Sequence, residues 1–298
     1  MGINIKVPAS TANLGAGFDT LGIALNLYNE FYIEESEEDE IITIPKNSEF
    51  ENPEKNLFFR VLKDVLKMYG EEHRRFKVKQ INRIPISRGL GSSASVIVGG
   101  IVAGFKILDK NLDDKTFFDI AYRYENHPDN LIPAYKGGFI TALKDGDKTY
   151  YQKLFFPDEI KFIVVIPDFE LSTEEARKVL PENIPLKDAI FNIQRVALFI
   201  SALQNRKYEL LKVAMEDRLH QPYRKKLIPE FDNVIRNAYS NGALGVSLSG
   251  AGSSIVALAK ENFDAIGKAM VDTFSKVGIK AEYKILEKDD RGVYLTED

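Results

Sequence analysis

The sequence contains no cysteine, which excludes disulfides, cysteine-based zinc sites and thiol catalysis and fits a reducing compartment. Histidine is scarce as well: His127, one of 3, has no second histidine or cysteine near it to build a zinc site. Positive charge is not in excess, since 40 Lys and Arg stand against 44 Asp and Glu for a net charge of -4. Such a surface has no general affinity for nucleic-acid phosphates or an anionic membrane. Long hydrophobic runs are missing too: Ala94 to Leu108 contains Lys106 and falls short of the ~20 residues that span a bilayer. The opening MGINIKVPAS lacks the apolar segment of a signal peptide, and its alternating Ile3, Ile5 and Val7 predict a strand instead. Together these absences predict a soluble, cytoplasmic protein with neither nucleic acid nor membrane as partner. Internal repeats and low-complexity segments are also absent.

What is present is the composition of a globular enzyme, 44% hydrophobic and 28% charged with 20 Gly and 12 Pro, in 298 residues that suffice for two lobes. Hydrophobic periodicity predicts strands at 3–7, 23–34 and 76–84, and a helix at 54–69 whose Leu57, Phe58, Val61, Leu62, Val65 and Leu66 share one face before Gly70. Residues 93–107, small or apolar on nearly all sides, predict a buried helix, and another follows at about 113–126. Glycine, proline and charge in 144–159 place a boundary near 155, dividing the chain into 1–155 and 156–298. Beyond it, helices are expected at 173–180, 187–204, 207–219, 229–239 and 262–277, and strands at 160–166, 243–249, 254–259 and 279–286. Gly242 to Ala259 reads as a hairpin with a tight GAGSS turn, Gly292 to Thr296 as a last strand returning to a sheet, and the acidic Glu34 to Glu40 as a solvated loop. The class is α+β.

The chemistry starts in Pro85-Ile86-Ser87-Arg88-Gly89-Leu90-Gly91-Ser92-Ser93-Ala94-Ser95. Gly89 and Gly91 allow unusual torsions and close approach, Ser92 and Ser93 offer hydroxyls, and the helix that begins at once turns free amides and its positive dipole end toward an anion. An ordinary glycine turn with Ser93 as helix cap is the plainer alternative. A Walker motif is excluded because no Gly-Lys-Ser/Thr occurs. The dinucleotide pattern is met formally by Gly89, Gly91 and Ala94, with Asp109 twenty residues on. However, FKVKQINRI alternates instead of forming the buried parallel strand that motif follows.

A nucleotide-dependent phosphotransferase also needs a divalent cation on the phosphates, and Ser93 with Glu125 is the natural pair of ligands. Glu125 opens the polar run Glu125-Asn126-His127-Pro128-Asp129-Asn130, read as a functional loop. His127 there either stabilises the loop or contacts substrate.

With these residues assembled, the sequence resembles the GHMP kinases over its whole length, and among them the homoserine kinases. Pro8 to Asp19 (PASTANLGAGFD), Pro85 to Ser95 and Ser247 to Ser254 (SLSGAGSS) carry the likeness; HPDN at 127–130, STEEAR at 172–177 and DRLHQPYR at 217–224 narrow it. The resemblance implies an N-terminal α/β lobe of the ribosomal protein S5 domain 2 type, a C-terminal ferredoxin-like lobe and a site between them. It implies ATP and Mg2+, and transfer of the γ-phosphoryl to the side-chain hydroxyl of L-homoserine on the route to threonine. The substrate would be a zwitterion with a primary alcohol. Arg177 and Arg224 match the family's carboxylate-binding positions, where a planar guanidinium fork suits the ligand. Asp19 and Asp129 match the positions that take the ammonium, while Asn13 and Asn130 would bind the polar head or the reacting hydroxyl. Thr173 shares a helix face with Arg177 at i and i+4 and is a further candidate in the cleft. Read without the family, Arg177 is a surface residue on a helix capped by Ser172 and Glu175, Arg224 opens a solvated basic run, and Asn13 and Asp19 are turn residues.

Asn130 stands where mevalonate-type relatives are thought to place a basic aspartate. An amide cannot take the proton, so catalysis is expected to rest on alignment and charge neutralisation, with the proton leaving through phosphate or solvent. Asn126 and Ile132 to Tyr135 depart from the family's usual small residues. The alternatives are another small-molecule kinase of the superfamily, which would not need both arginines and both aspartates, and a non-catalytic ligand-sensing relative, which would be expected to lose Ser93 or Glu125. Oligomeric state is left open, with a homodimer among the options.

Overall fold

The computed structural model describes residues 2–296. The chain runs β1 (Ile3–Ala12), β2 (Leu21–Glu35), β3 (Glu40–Ile44), α1 (Leu57–Lys67), β4 (Phe76–Ile81), α2 (Ser92–Ile107), α3 (Asp114–Ala121), α4 (Pro128–Lys136), β5 (Phe139–Asp145) and β6 (Lys148–Leu154). It continues through β7 (Lys161–Pro167), α5 (Thr173–Lys178), α6 (Leu186–Gln204), α7 (Leu211–Ala214), α8 (Gln221–Arg224), α9 (Phe231–Ser240), β8 (Gly245–Leu248), β9 (Ile255–Ala259), α10 (Phe263–Ser275), β10 (Ala281–Leu286) and β11 (Tyr294–Thr296).

Two sheets define two lobes. The first has seven strands, with β11-β1-β2-β4-β3 as its main path and the β5–β6 hairpin joined to β2. The second has the order β10-β7-β9-β8, all antiparallel. Taken with the helices between its strands, this is the β-α-β-β-α-β arrangement of a ferredoxin-like lobe. Sheet membership changes between Leu154 and Lys161, but the chain re-enters the first sheet at its end, where Asn4, Ile5 and Lys6 pair with Thr296, Leu295 and Tyr294. The last strand therefore lies in the sheet of the first lobe.

Several local expectations need correction. The Glu125–Asn130 run, expected as a loop, is a loop only in its first half: Pro128, Asp129 and Asn130 open the helix 128–136, because Pro128 sits at the first helical position, where proline's missing N–H is no loss. The 144–159 segment contains a strand and not only a linker: Gly146 (φ 57) turns β5 into β6, whose exposed alternating side chains suit a strand with one solvated face. The expected helix at 207–219 is broken into a 3-10 turn and α7, and the β8–β9 turn is the six-residue loop 249–254 instead of a tight one. Within Glu34 to Glu40, both ends belong to strands, β2 and β3.

The core explains why the site between the lobes is held firmly. In the N-terminal lobe, α2 packs closely on α1 because its glycines leave no side chain between them: a Cβ on Gly100 would lie 2.7 Å from Phe58 O, and one on Gly104 2.5 Å from Val65 Cγ1. A second cluster crosses the lobe boundary, joining Ile23, Leu25 and Phe139 to Phe162, Phe199 and Val256. Burial of that much aromatic and aliphatic surface fixes the relative placement of the two lobes.

Candidate active site

A cleft of about 310 Å3 opens between the lobes, lined by Pro85 to Ala94, Asn13, Asp19, Glu125, His127, Asp129, Asn130, Thr173, Arg177 and Arg224. Side chains from five separate stretches of sequence therefore meet in one place. Ser95 is the exception. Its side chain is fully buried behind the loop, accepting from Asn29 Nδ2 (2.9 Å) and donating to Ser92 O (2.7 Å), while its N–H closes the first helical turn on Gly91 O. Ser95 anchors the cradle from behind and does not line it.

The glycine-rich loop, expected to cradle phosphate, meets the cleft mainly with backbone. Gly91 is the N-cap of α2 in the left-handed region (φ 69), with no side-chain cap, so the first-turn amides of Ser92, Ser93 and Ala94 have no intrahelical acceptor. Ser93 is inside the helix and does not cap it. Leu90 and Ala94 turn their side chains into the core. Arg88 reaches the other way, donating Nε–H to Pro167 O (3.0 Å) and lying near Asp168 and Glu170, so it braces the lobe junction.

The loop's shape is imposed from both sides. A Cβ on Gly89 would meet Ser249 O at 2.1 Å, and one on Gly91 would meet Ser10 Oγ at 2.1 Å. The 249–254 loop clamps it: Ser249 Oγ donates to Gly89 O (2.7 Å) and accepts from Thr11 Oγ1 (2.8 Å), and Ser254 N donates to Arg88 O (3.2 Å).

The opposite wall is made of charged side chains. Asn13 (φ 74) and Asp19 (φ 53) lie in left-handed turns of the segment after β1. Asn13 Nδ2 donates to Gly250 O (2.9 Å) and its Oδ1 accepts from Asp19 N (3.0 Å). Asn13 is thus mainly a strut that sets Asp19, with one amide hydrogen left for a ligand. Asp19 in turn receives a two-point contact from Arg177, NH2 to Oδ1 at 2.7 Å and NH1 to Oδ2 at 3.2 Å. These two residues, expected on opposite ends of a substrate, pair with each other across the lobes. Arg177 Nε is buried and has no hydrogen-bond partner among the described residues.

Glu125 and His127 form a second pair. Glu125 Oε1 accepts from His127 Nδ1 (2.7 Å) and His127 N (3.1 Å). Burial opposes ionisation of Glu125, but the His127 hydrogen bonds and charge outweigh it and hold the carboxyl below its usual range. The same bond raises the His127 pKa against burial and the Arg177 charge. His127 thus makes the loop-stabilising hydrogen bond, and it also lines the cleft.

Asp129, 4% exposed, has the Nδ2 of Asn130 at 3.4 Å as its hydrogen-bond donor. Burial, reinforced by the negative charges of Asp19 and Glu125 and opposed by His127 and Arg177, pushes its carboxyl up to about 7. Asn130 Oδ1 accepts from Ser10 Oγ (2.9 Å), which orients its amide and ties the start of α4 to β1. Thr173 is exposed at the first position of α5. Ser172 and Glu175 form the full capping box that starts this helix.

Arg224 is not a solvated residue. It is 2% exposed, with Nε donating to Ala176 O (3.1 Å) and NH1 to Gly250 O (3.1 Å). Burial and the charge of Arg177 lower its pKa to about 10, which leaves it cationic at neutral pH. Phe18 lies under both guanidinium groups, 5.0 Å from that of Arg224 and 5.6 Å from that of Arg177. Neither Phe18 nor Ser10 was expected to matter. Both sit inside the N-terminal PASTANLGAGFD block, and what gives them weight, contact with Asn130 and with the two guanidinium groups, comes from partners distant in sequence.

The family follows from this architecture and from likeness to known proteins. The GHMP kinases N terminal domain family matches residues 56–138, and the GHMP kinases C terminal family matches residues 199–276. The fold and the cleft therefore define a GHMP kinase. Homoserine kinase of Persephonella marina is 64% identical over 293 residues, covering 98% of each chain, and that of Aquifex aeolicus is 45% identical over 98% of each. The crystal structure of homoserine kinase from Cytophaga hutchinsonii superposes with a TM-score of 0.89 at 30% identity, covering 99% of this chain and 97% of that one. Within the GHMP kinases, the chain belongs to the homoserine kinases.

Proposed function

We infer that the protein phosphorylates the side-chain hydroxyl of L-homoserine with ATP, giving O-phospho-L-homoserine, and that the residues of the cleft divide the work as follows. The observation that carries this reading is the Asp19–Arg177 pair beside Arg224 and Asp129, opposite a backbone cradle for phosphate. A zwitterion can exchange into such a pair without leaving a charge uncompensated: its carboxylate takes Arg177 and Arg224, and its ammonium takes Asp19 and Asp129. An uncharged sugar, or an acid without an amino group, would break the pair and replace only part of it. Exchange of one ion pair for two is a route to selectivity as well as to affinity.

Magnesium fits the residues present. No cluster of three or more ligating side chains occurs among the described residues, so these form no cation cage of their own. A magnesium ion that draws most of its ligands from phosphate and water needs only one or two from protein. Glu125, kept ionised by His127, and the Ser93 hydroxyl in the first turn of α2 would supply them. Such an ion neutralises charge on the transferring phosphoryl.

The rest of the mechanism falls to the chain. The first-turn amides of α2 hold the phosphates, and the two arginines and two aspartates set the amino-acid head so that the terminal hydroxyl faces the γ-phosphorus. Asn130, oriented by Ser10, is placed to donate to that hydroxyl or to a phosphoryl oxygen. With an amide there, the hydroxyl proton passes to phosphate or solvent, as a loose transition state permits. The direct test is a substrate panel with product identification by phosphorus NMR. Homoserine should give a phosphomonoester and ADP, while mevalonate, galactose and 4-hydroxybutyrate give neither at a comparable rate. Turnover of 4-hydroxybutyrate as fast as homoserine would remove the zwitterion argument.

A further inference from the structure

His220 lies beneath the substrate wall, fully buried and absent from the cleft lining. Its ring is stacked on Phe18, with centroids 4.9 Å apart and planes 18° apart. Nε2 lies 2.9 Å from Gly15 O, and Nδ1 lies 3.4 Å from Arg224 NH1. These contacts determine the tautomer: a carbonyl can only accept, so Nε2 carries the proton, and a guanidinium can only donate, so Nδ1 must be the bare acceptor. Burial also pushes the imidazole's pKa down, against the opposing pull of Asp217, which keeps the ring neutral.

The hydrogens of Arg224 can then be counted. Nε–H goes to Ala176 O, and NH1 divides its two hydrogens between Gly250 O and His220 Nδ1. Among the described residues, NH2 has no protein partner, and Arg224 lines the cleft. The segment carrying His220 is itself pinned. Asp217 Oδ2 accepts from His220 N (3.0 Å) and Gln221 N (2.6 Å), and Asp217 Oδ1 accepts from Asn192 Nδ2 (2.7 Å), which also donates to Ala16 O (3.1 Å).

We propose that His220 is a positioning residue for the acceptor substrate: by accepting from Arg224 NH1 and donating to Gly15 O, it locks the guanidinium against the Phe18 loop and leaves NH2 as the edge presented to the substrate carboxylate. It touches neither substrate. The proposal rests on the substrate reading above and adds that affinity for the amino-acid head depends on a residue outside the cleft. The i, i+4 spacing of His220 and Arg224 is what allows one short helical turn to carry both the ligand-binding group and its brace.

Two substitutions separate the halves of the brace. In His220→Gln the Nε2 amide can reproduce the donor to Gly15, because it is as many bonds from Cβ as the imidazole Nε2, but the amide oxygen then branches from Cδ and not from the Nδ1 position, so Arg224 NH1 loses its acceptor there. In His220→Asn the Oδ1 stands where Nδ1 was, so the acceptor remains and the donor is lost. We expect His220→Gln to raise the homoserine KM about tenfold, the effect of one lost hydrogen bond to a charged group, with the ATP KM unchanged. His220→Asn should recover most of that loss, although it is the less isosteric change for the loop. Added to Arg224→Lys, which keeps the charge but lacks the second nitrogen, His220→Gln should have no further effect on homoserine KM.

Equal homoserine KM values for His220→Gln and wild type would overturn the proposal, as would parallel rises in both KM values together with a lower melting temperature, since that pattern marks a general structural role. If Arg224→Lys itself left the homoserine KM unchanged, the substrate reading would fall first. A measurement on the unsubstituted protein guards against a variant that does not fold: imidazole nitrogen NMR at pH 7 should show His220 neutral and protonated on Nε2. A cationic ring, or a proton on Nδ1, would rule out acceptance from Arg224.

Discussion

The two walls of the cleft are made by opposite means. On the side proposed for the nucleotide, Gly89, Gly91 and the first turn of α2 present backbone, and the side chains of Arg88, Leu90, Ala94 and Ser95 serve packing or bracing. On the side proposed for the acceptor, Asp19, Asp129, Arg177 and Arg224 present side chains supplied by four segments of both lobes, held by further side chains such as Asn13 and Ser10. A backbone wall recognises what all phosphates share and can be common to many kinases. A side-chain wall can match one acceptor, and its specificity is lost one residue at a time. Substitutions on the first wall should therefore disturb catalysis broadly, and those on the second should act on one substrate.

The largest effect is expected from Gly89→Ala. The added Cβ would lie 2.1 Å from Ser249 O at a residue with φ 73, so the loop must shift bodily. A displacement of that kind should lower kcat/KM about a hundredfold or more for ATP and homoserine alike. An effect confined to homoserine would break the division between the walls. Glu125→Gln should come next, with kcat reduced roughly thirtyfold to a hundredfold and a higher magnesium concentration needed for half-maximal rate, read by titration at saturating ATP. An unchanged magnesium dependence would move Glu125 off the metal.

Acidity offers a third test. Because the Asp129 carboxyl is held up to about 7, it becomes protonated as pH falls through that value and can no longer pair with an ammonium. Homoserine kcat/KM should fall about tenfold per pH unit below that point. Asp129→Asn should abolish the limb along with most of the affinity. The stability sign is opposite: an acid with a raised folded-state pKa stabilises the fold below its unfolded pKa near 4 and loses that contribution as pH rises toward 7. Asp129→Asn should therefore melt at a higher temperature than wild type at pH 8 while binding homoserine less well. The smallest kinetic effect is expected for Ser95→Ala. Although it lies in the phosphate-loop sequence, it should cost about 1–2 kcal/mol of stability by leaving Asn29 short of a partner, and alter the ATP KM less than about twofold.

The same contrast explains what could be read from the sequence. Most strands and helices followed from hydrophobic periodicity, and Gly89 and Gly91 were recognisable from the local glycine pattern and the left-handed torsions it permits, although the atoms that crowd them, Ser249 O and Ser10 Oγ, are distant in sequence. That wall, however, points only to an anion. The acceptor wall was legible only through family motifs, since the burial of Arg224 is created by Phe18, Ala176 and Gly250, which are distant in sequence. Taken alone, Arg224-Lys225-Lys226 reads as a solvated basic run. His220 was within a motif and still unremarked, because nothing in DRLHQPYR says that a loop 200 residues earlier will cover it. Helix α4 was hidden by Pro128 and Pro133, which signal a break unless the first falls at a helix start.

The central claim is that the side-chain wall chooses the acceptor, and Arg177→Ala tests it most directly. Removing this guanidinium leaves Asp19 unpaired in the free protein and takes away a carboxylate partner in the complex. Steady-state kinetics should show the homoserine KM raised at least about tenfold, with the ATP KM within about twofold of wild type. An unchanged homoserine KM, or equal losses for both substrates, would contradict the account.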